Sequence, residues 1–149
     1  MTPDLVKTQF LRAATVRYAW AFLGLPYRWG GDDPVHGFDC SGLIVELLQG
    51  VGLLPHKSDL TANGIYLRYA NKVVAKGYAG CLCLWFDVAG MATHVEIMVD
   101  DFHTLGASGG GSATTSADAA AAQNAFIKMR PLGYRGTNYK LVDPFLGGE

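Results

Sequence analysis

Three scarcities narrow the interpretation of this 149-residue sequence. It has only three cysteines, Cys40, Cys81 and Cys83, so no disulfide framework is predicted, and this usage fits a reducing compartment in which Cys40 stays free. It has no excess of basic residues, because the net charge is −1, and no nucleic-acid partner is expected. No apolar run approaches the length of a membrane span, so no transmembrane segment is predicted.

The length and patterning predict one compact domain over residues 1–149. Half of the residues are hydrophobic and 17% are charged, which suits a domain with a sizeable core. Helical patterns come first and strand patterns later, so we expect an α+β fold with an antiparallel sheet. Helices are predicted from Thr2-Pro3 to Gly24, from Cys40 to about Gly50 and from Ser58 to about Tyr69; strands are predicted near 81–87, 94–100, 103–107, 126–129 and 133–139. The apolar stripe predicted to face inward from the first helix consists of Leu5, Phe10, Ala13, Ala14, Tyr18, Ala21 and Phe22.

Cys40 lies where an irregular segment rich in glycine and proline meets an apolar, helix-patterned run. Asp39 is a favourable N-cap residue, so Cys40 is predicted in the first turn of a helix. Unpaired N–H groups and the helix dipole favour negative charge there, and the thiolate is the nucleophilic form of cysteine. The pattern predicts a catalytic cysteine. The alternative is a small buried helix residue.

A nucleophilic cysteine needs a base, and His94 is the best-placed histidine. His36 and His56 fall in predicted loops. His94 begins the run 94–99, whose β-branched and apolar residues predict a strand. A strand holds a side chain in place, as a general base requires.

Several segments together resemble the NlpC/P60 family of cell-wall cysteine peptidases. The similarity extends from about Leu11 to about Phe145 and is most specific in the first two of the following blocks: 23–31, 37–43, 79–86, 94–97 and 107–111. The resemblance implies a papain-like fold in which N-terminal helices pack on a central antiparallel sheet. It also implies Cys40 as nucleophile and His94 as base, with no metal or organic cofactor.

The resemblance implies roles for three neighbours of the nucleophile. Tyr27 corresponds to a tyrosine that contacts the substrate or the oxyanion; the alternative is an ordinary half-buried aromatic residue. Asp39 and Ser41 correspond to positions that hold the free amine of a stem peptide. Their alternative role is structural, because Asp39 can cap the helix and Ser41 can fill its first turn.

The third catalytic position is where this sequence departs from the family, whose members usually place a histidine or another polar residue on the strand after the base. By alignment that position is Gly106. If 100–102 form a turn, the hairpin brings Ser108 and Gly106 near His94 and leaves His103 about 16 Å away. Ser108, a backbone carbonyl near Gly106 or a water in the glycine gap is therefore expected to orient His94.

Two smaller departures concern the strands. Family members often carry aspartate where Cys81 stands and glycine where Glu96 stands. Cys81 and Cys83 would share one face of a strand, and we interpret them as core residues, because no histidine or further cysteine stands at zinc-ligand spacing.

The resemblance implies a cysteine endopeptidase that hydrolyses peptidoglycan stem peptides, with the γ-D-glutamyl–diamino acid bond as the expected target. One alternative is an amidase or acyltransferase acting on another amide or ester. The other, motivated by Gly106, is a catalytically weak module that binds the cell wall.

The route to the wall is a separate question. Asp4, Lys7, Arg12 and Arg17 interrupt the apolar positions near the N-terminus, so no secretory signal is expected and the chain is predicted to be cytoplasmic as synthesised. Delivery by phage or secretion machinery is then expected. The segment 107–114 and the ending 142–145 are most similar to phage-type members of the family, which implies a phage tail or lysis partner. Cytosolic recycling of wall fragments is the alternative.

Overall fold

The computed structural model describes residues 1–147, and its elements follow the predicted order of helices before strands. The four α-helices are α1 (Pro3–Trp20), α2 (Cys40–Gly50), α3 (Ala62–Tyr69) and α4 (Ala117–Gln123). A short 3₁₀ helix covers Ala70–Lys72. The strands are β1 (Asp32–Asp33), β2 (Gly37–Phe38), β3 (Val73–Val74), β4 (Leu82–Phe86), β5 (Ala92–Met98), β6 (His103–Ser108), β7 (Phe126–Pro131) and β8 (Tyr139–Val142). The α+β prediction is confirmed.

The main sheet has six strands in the order β3-β8-β4-β5-β6-β7, and every neighbouring pair is antiparallel. Its centre consists of β4 and β5, whose side chains are almost all buried. Strands β1 and β2 form a separate two-stranded ribbon just before α2. The helices pack on the central antiparallel sheet as predicted.

Helix α2 lies against β5 and supplies a large share of the core. Leu43, Ile44, Leu47 and Leu48 are fully buried on it, in the spacing expected for the inward face of a helix. They meet β5 residues such as Val95 within one hydrophobic cluster. The first turn of α2 is therefore held rigidly beside the start of β5.

Helix α1 begins as predicted, but the start of its predicted inward stripe is exposed. The Thr2 side chain accepts a hydrogen bond from the Leu5 N–H, and Pro3 opens the helix. The helix buries Thr15 and Ala19, whereas Leu5 and Phe10, which the sequence pattern placed on the inward stripe, are exposed. No helix within residues 1–147 combines the length and the hydropathy that a membrane span needs.

Three element boundaries differ clearly from the predictions. The first helix ends at Trp20 and not at Gly24. The third helix is capped by Thr61, whose hydroxyl accepts from the Gly64 N–H, and not by Ser58. The segment 133–139 was predicted as a strand, but β8 starts only at Tyr139. The residues before it form a loop, which begins in tight turns that place Gly133 and Gly136 at positive φ.

Candidate active site

Cys40 is the first residue of α2, as predicted. The Asp39 side chain caps the helix by accepting from the Gly42 N–H at 2.7 Å. Residue 42 must be glycine because a Cβ there would lie 2.0 Å from the Gly31 carbonyl oxygen. The Gly31 carbonyl in turn accepts from the Asp39 N–H. The Asp-Cys-Ser-Gly pattern thus presses the helix start against the preceding loop and fixes Cys40.

The Cys40 thiol is less acidic than its position at a helix N-terminus predicted. Burial raises its pKa to about 11, and the nearby charge of Asp39 adds to that effect. Hydrogen bonds from the Val95 and Ser41 N–H groups and the positive charge of Arg135 act in the opposite direction without compensating. The prediction that the thiolate is favoured is therefore corrected: desolvation dominates, and the neutral thiol prevails at neutral pH.

Cys40 and His94 line the same cleft, which has a volume of ≈ 430 Å³. His94 lies near the start of β5 and is only 5% exposed. Within residues 1–147 no direct hydrogen bond joins the thiol to the imidazole. The N–H of Val95, the residue after His94, acts to lower the pKa of the Cys40 thiol, so the strand that carries His94 also approaches Cys40.

Tyr27 forms part of the wall of the cleft that Cys40 also lines. Its ring packs on Gly110, where an added Cβ would lie 2.3 Å from a ring carbon, so the Gly-rich segment after β6 approaches as bare backbone. Burial raises the pKa of Tyr27 well above its usual range, with the Cys40 and Asp39 charges adding to the shift. The hydroxyl therefore stays protonated at neutral pH and can donate a hydrogen bond.

Asp39 and Ser41 also line the cleft, and Asp39 is already engaged in the local fold. Besides the Gly42 N–H, Asp39 accepts from the Gly30 N–H at 3.1 Å and from the Ser41 hydroxyl at 3.4 Å. Burial raises its pKa despite these donors, and the charge of Asp59 adds to the rise. The structural role that the sequence allowed for Asp39 is present.

The partner of His94 is a residue that the sequence interpretation did not consider. His94 Nε2 lies 2.7 Å from Oε2 of Glu96, on the same strand. The expectation that Ser108 or the Gly106 backbone orients His94 is corrected, because the carboxylate occupies that ring nitrogen. Ser108 is 3% exposed and its hydroxyl has no hydrogen-bond partner within the described residues. His103 lies at the far end of the hairpin against Asp100, as the predicted turn requires.

The loop between β7 and β8 brings Tyr134 and Arg135 to the site. Neither residue was predicted from the sequence to be part of it. The Tyr134 hydroxyl donates to Glu96 Oε2 at 2.5 Å. The Trp85 indole N–H donates to the Gly136 carbonyl at 3.2 Å, and its ring lies 5.5 Å from that of His94. Between these two anchors Arg135 reaches the cleft. It forms no ion pair within residues 1–147, so its charge is free to meet a ligand.

Comparison with known proteins identifies the family of this chain. The model of the NlpC/P60 family matches residues 24–131. The chain is 48% identical over 54 residues to the probable endopeptidase Mb2213c of Mycobacterium bovis, and 36% identical over 80 residues to the murein DD-endopeptidase MepH of Escherichia coli. These stretches cover 36% and 52% of this chain but only 14% and 29% of those proteins.

Solved structures agree on the fold. One of them is RipD from Mycobacterium tuberculosis, described as a non-catalytic NlpC/p60 domain protein adapted to peptidoglycan binding. It superposes with a TM-score of 0.60 at 19% identity, over 89% of this chain and 95% of that one. The family match covers well over half of the sequence and includes both Cys40 and His94. The chain therefore belongs to the NlpC/P60 family.

Proposed function

We propose that this chain is a cysteine endopeptidase that hydrolyses peptidoglycan stem peptides, with Cys40 as nucleophile and His94 as general base. The observation that carries the proposal is the shared cleft, in which a rigid helix presents the thiol and a central strand presents the imidazole. Membership of a family whose curated relatives include named endopeptidases supports the substrate class.

The chemistry begins with a neutral thiol. As Cys40 Sγ attacks the peptide carbonyl carbon, its proton passes to His94 and the C–S bond forms. The Cys40 N–H, in the first turn of α2, and the Tyr27 hydroxyl are the candidate donors to the oxyanion. His94 then gives its proton to the leaving amine as the C–N bond breaks. Water, deprotonated by His94, adds to the thioester, and cleavage of the C–S bond returns the thiol and releases the new carboxylate.

Because the pKa of the Cys40 thiol is raised, His94 is needed to remove the thiol proton during the reaction. A thiol with a pKa of about 11 contributes almost no thiolate at neutral pH. The base must therefore remove the proton during attack, and His94 has to be neutral when the substrate binds. This resembles hydroxyl nucleophile chemistry more than that of a preformed thiolate–imidazolium pair.

The cleft carries opposite charges that suit a stem peptide. Asp39 and Ser41 flank Cys40 on the helix side, and we assign them to the free amine of the substrate. Arg135 lines the same cleft, where its guanidinium suits a carboxylate such as that of γ-D-glutamate. Asp39 would then bind the amine and Arg135 the carboxylate of one stem peptide. Because both charges lie beside Cys40, the γ-D-glutamyl–diamino acid bond is the proposed scissile bond.

The test is mass spectrometry of defined tri-, tetra- and cross-linked muropeptides after incubation with the parent protein and with Cys40→Ala. We expect cleavage by the parent only, with product masses that place the cut after γ-D-glutamate. Cys81→Ala is the matched control, because Cys81 is buried outside the cleft, and it should retain cleavage. Turnover by Cys40→Ala would refute the mechanism, and cleavage of the D,D cross-link instead would replace the proposed bond.

A second candidate function is stem-peptide binding without turnover. The raised thiol pKa and the missing Cys40–His94 hydrogen bond favour it, and the non-catalytic relative RipD is a precedent within the fold. The same incubation separates the two functions when it is combined with calorimetric titration of the intact muropeptide. Binding to reduced, folded protein with no change in substrate mass would support the binding module.

A further inference from the structure

Glu96 is a buried carboxylate at the back of the candidate site. It is fully inaccessible to solvent, and it follows His94 by two residues on β5, so both side chains point to the same face of the sheet. Its Oε2 lies 2.7 Å from His94 Nε2, and its Oε1 accepts from the Thr104 hydroxyl at 2.7 Å. Tyr134 adds a third donor from the loop before β8. A charge buried this deeply is tolerated only when it is paired and hydrogen-bonded, and here three elements supply its partners.

Space for Glu96 exists only because residue 106 has no side chain. Continuing the β5–β6 register from Ile97↔Leu105 places Glu96 directly opposite Gly106. A Cβ on Gly106 would lie 2.3 Å from Glu96 Cγ and 2.8 Å from its Cδ. The Glu96 side chain therefore occupies the space beside Gly106 from the opposite strand, and no gap for a water molecule is left there.

The contact determines which ring nitrogen of His94 carries the proton. A carboxylate only accepts hydrogen bonds, so its partner Nε2 must hold a hydrogen. In the neutral imidazole this leaves the lone pair on Nδ1, the nitrogen available to take a proton from a thiol. The carboxylate also stabilises the imidazolium that forms once the proton has moved.

We infer that Glu96 is the positioning residue of His94: its carboxylate, seated in the space left by Gly106, fixes the tautomer and orientation of the catalytic base. The inference rests on the proposed function for its catalytic consequence, but not for its geometry. It places the orienting group on the base's own strand, two residues on, and not on the neighbouring strand.

The side chains around Glu96 include other titratable groups, which could also act on His94. Titratable side chains beside it are His94 on β5, Cys83 opposite on β4 and Tyr134 on the loop, and the Arg130 guanidinium of β7 lies over the Tyr134 ring. Strand β6 contributes only Thr104 and Gly106. Burial raises the pKa of Cys83 and of Tyr134 well above their usual ranges, and the negative charge of Glu96 adds to both shifts. Both therefore remain neutral near pH 7.

The principal test is Glu96→Gln, measured as kcat and KM on a cleaved muropeptide across pH. The amide retains the shape but loses the charge, so we expect kcat to fall by about 10- to 100-fold with KM nearly unchanged. The acidic limb of the kcat/KM profile should also move to lower pH, because the imidazolium loses its counter-charge. An unchanged kcat and an unchanged profile would overturn the inference.

A second pair of variants keeps the test decisive if Glu96→Gln fails to fold. Tyr134→Phe removes one donor from Glu96, whereas Tyr139→Phe removes a hydroxyl from another tyrosine that packs on Trp85 without bonding Glu96. We expect Tyr134→Phe to lower kcat by about three- to tenfold and to shift the pH profile. Equal behaviour of the two variants would overturn the inference.

Nuclear magnetic resonance of ¹⁵N-labelled histidine gives a readout that needs no turnover. The His94 signals, assigned by comparison with a His94→Gln variant, should show the Nε2-protonated tautomer in the parent protein and a mixture of tautomers in Glu96→Gln. An Nδ1-protonated parent would overturn the inference. If no muropeptide is cleaved but the Nε2–H tautomer depends on Glu96, the proposed endopeptidase fails and the positioning role stands.

Discussion

The two walls of the cleft are built by different means. The helix wall is local: Asp39, Cys40 and Gly42 lie within four residues, and the cap, the nucleophile and the close-packed glycine form a single turn. The sheet wall is assembled from distant segments, because His94 and Glu96 on β5 depend on Gly106, Tyr134 and Trp85 from three other segments. Local chemistry determines where the Cys40 thiol lies, whereas tertiary packing determines how the His94 imidazole is oriented.

Replacing His94 should have the largest effect on kcat, and a loss of activity would show that the sheet wall of the cleft is needed for turnover. We expect His94→Ala to lower kcat on a muropeptide by about 10³-fold or more, because the neutral thiol then has no proton acceptor. His103→Ala is the matched control, since His103 lies at the distant end of the same hairpin and bonds Asp100. Comparable losses in both variants would indicate a folding defect and not a catalytic role.

The pH dependence of Cys40 alkylation tests whether the thiol on the helix wall of the cleft is protonated at neutral pH. Because burial raises the pKa of the Cys40 thiol from its ordinary value of 9.0 to about 11, the thiol stays protonated at neutral pH, and the thiolate fraction rises through pH 11. Iodoacetamide alkylation of Cys40 near pH 7 should then be about 100-fold slower than that of an unperturbed thiol. Peptide mass spectrometry across the pH range in which the protein stays folded measures the rate. A plateau reached below pH 9 would contradict the neutral-thiol mechanism.

Adding one methyl group between the strands tests how closely the sheet wall is packed. Gly106→Ala forces its Cβ against Glu96, so we expect a loss of about 1–3 kcal/mol in the free energy of unfolding. The displaced carboxylate should also lower kcat by about tenfold. Gly64→Ala is the control, because a Cβ there meets nothing closer than 3.4 Å and the residue lies in a helix. Urea unfolding and kcat are the measurements, and wild-type values for Gly106→Ala would refute the packing argument.

The smallest effect is expected at the rim, where Arg135 is exposed to solvent. Arg135→Gln should raise KM by about two- to fivefold for a stem peptide with a free carboxylate, because exposed ion pairs contribute little. The same change should leave KM unaltered for a peptide whose glutamate is amidated. Lys76→Gln removes an equally exposed charge elsewhere and is the control. Equal KM changes on both peptides would exclude a carboxylate contact by Arg135.

The features that could be predicted from the sequence are those that depend on residues adjacent along the chain. The Asp39 cap, the start of α2 at Cys40 and the β5–β6 hairpin were all correctly predicted, because N-cap chemistry and strand periodicity are local signals. The predicted inward stripe of the first helix was right at its C-terminal end, where Tyr18 and Phe22 pack in the core, and wrong at its start, where Leu5 and Phe10 are exposed.

The candidate site itself was only half predictable. Its missing half lies in the segment 133–139, whose aromatic and polar residues predicted a strand but which forms the loop that carries Tyr134 and Arg135. Glu96 was passed over because a charged residue inside an apolar strand gives no local sign of its partner. The signal was available in the register: a hairpin that pairs 97 with 105 places the glutamate opposite a glycine.

The pairing of Glu96 with Gly106 also constrains how such a site can arise by mutation. With any side chain at position 106, a glutamate at 96 has no room, so the small residue must come first and the acid second. Once the acid is present, we expect a change at either position alone to disturb the packing between the two strands. Positions 96 and 106 are therefore expected to change together, as a pair and not one at a time.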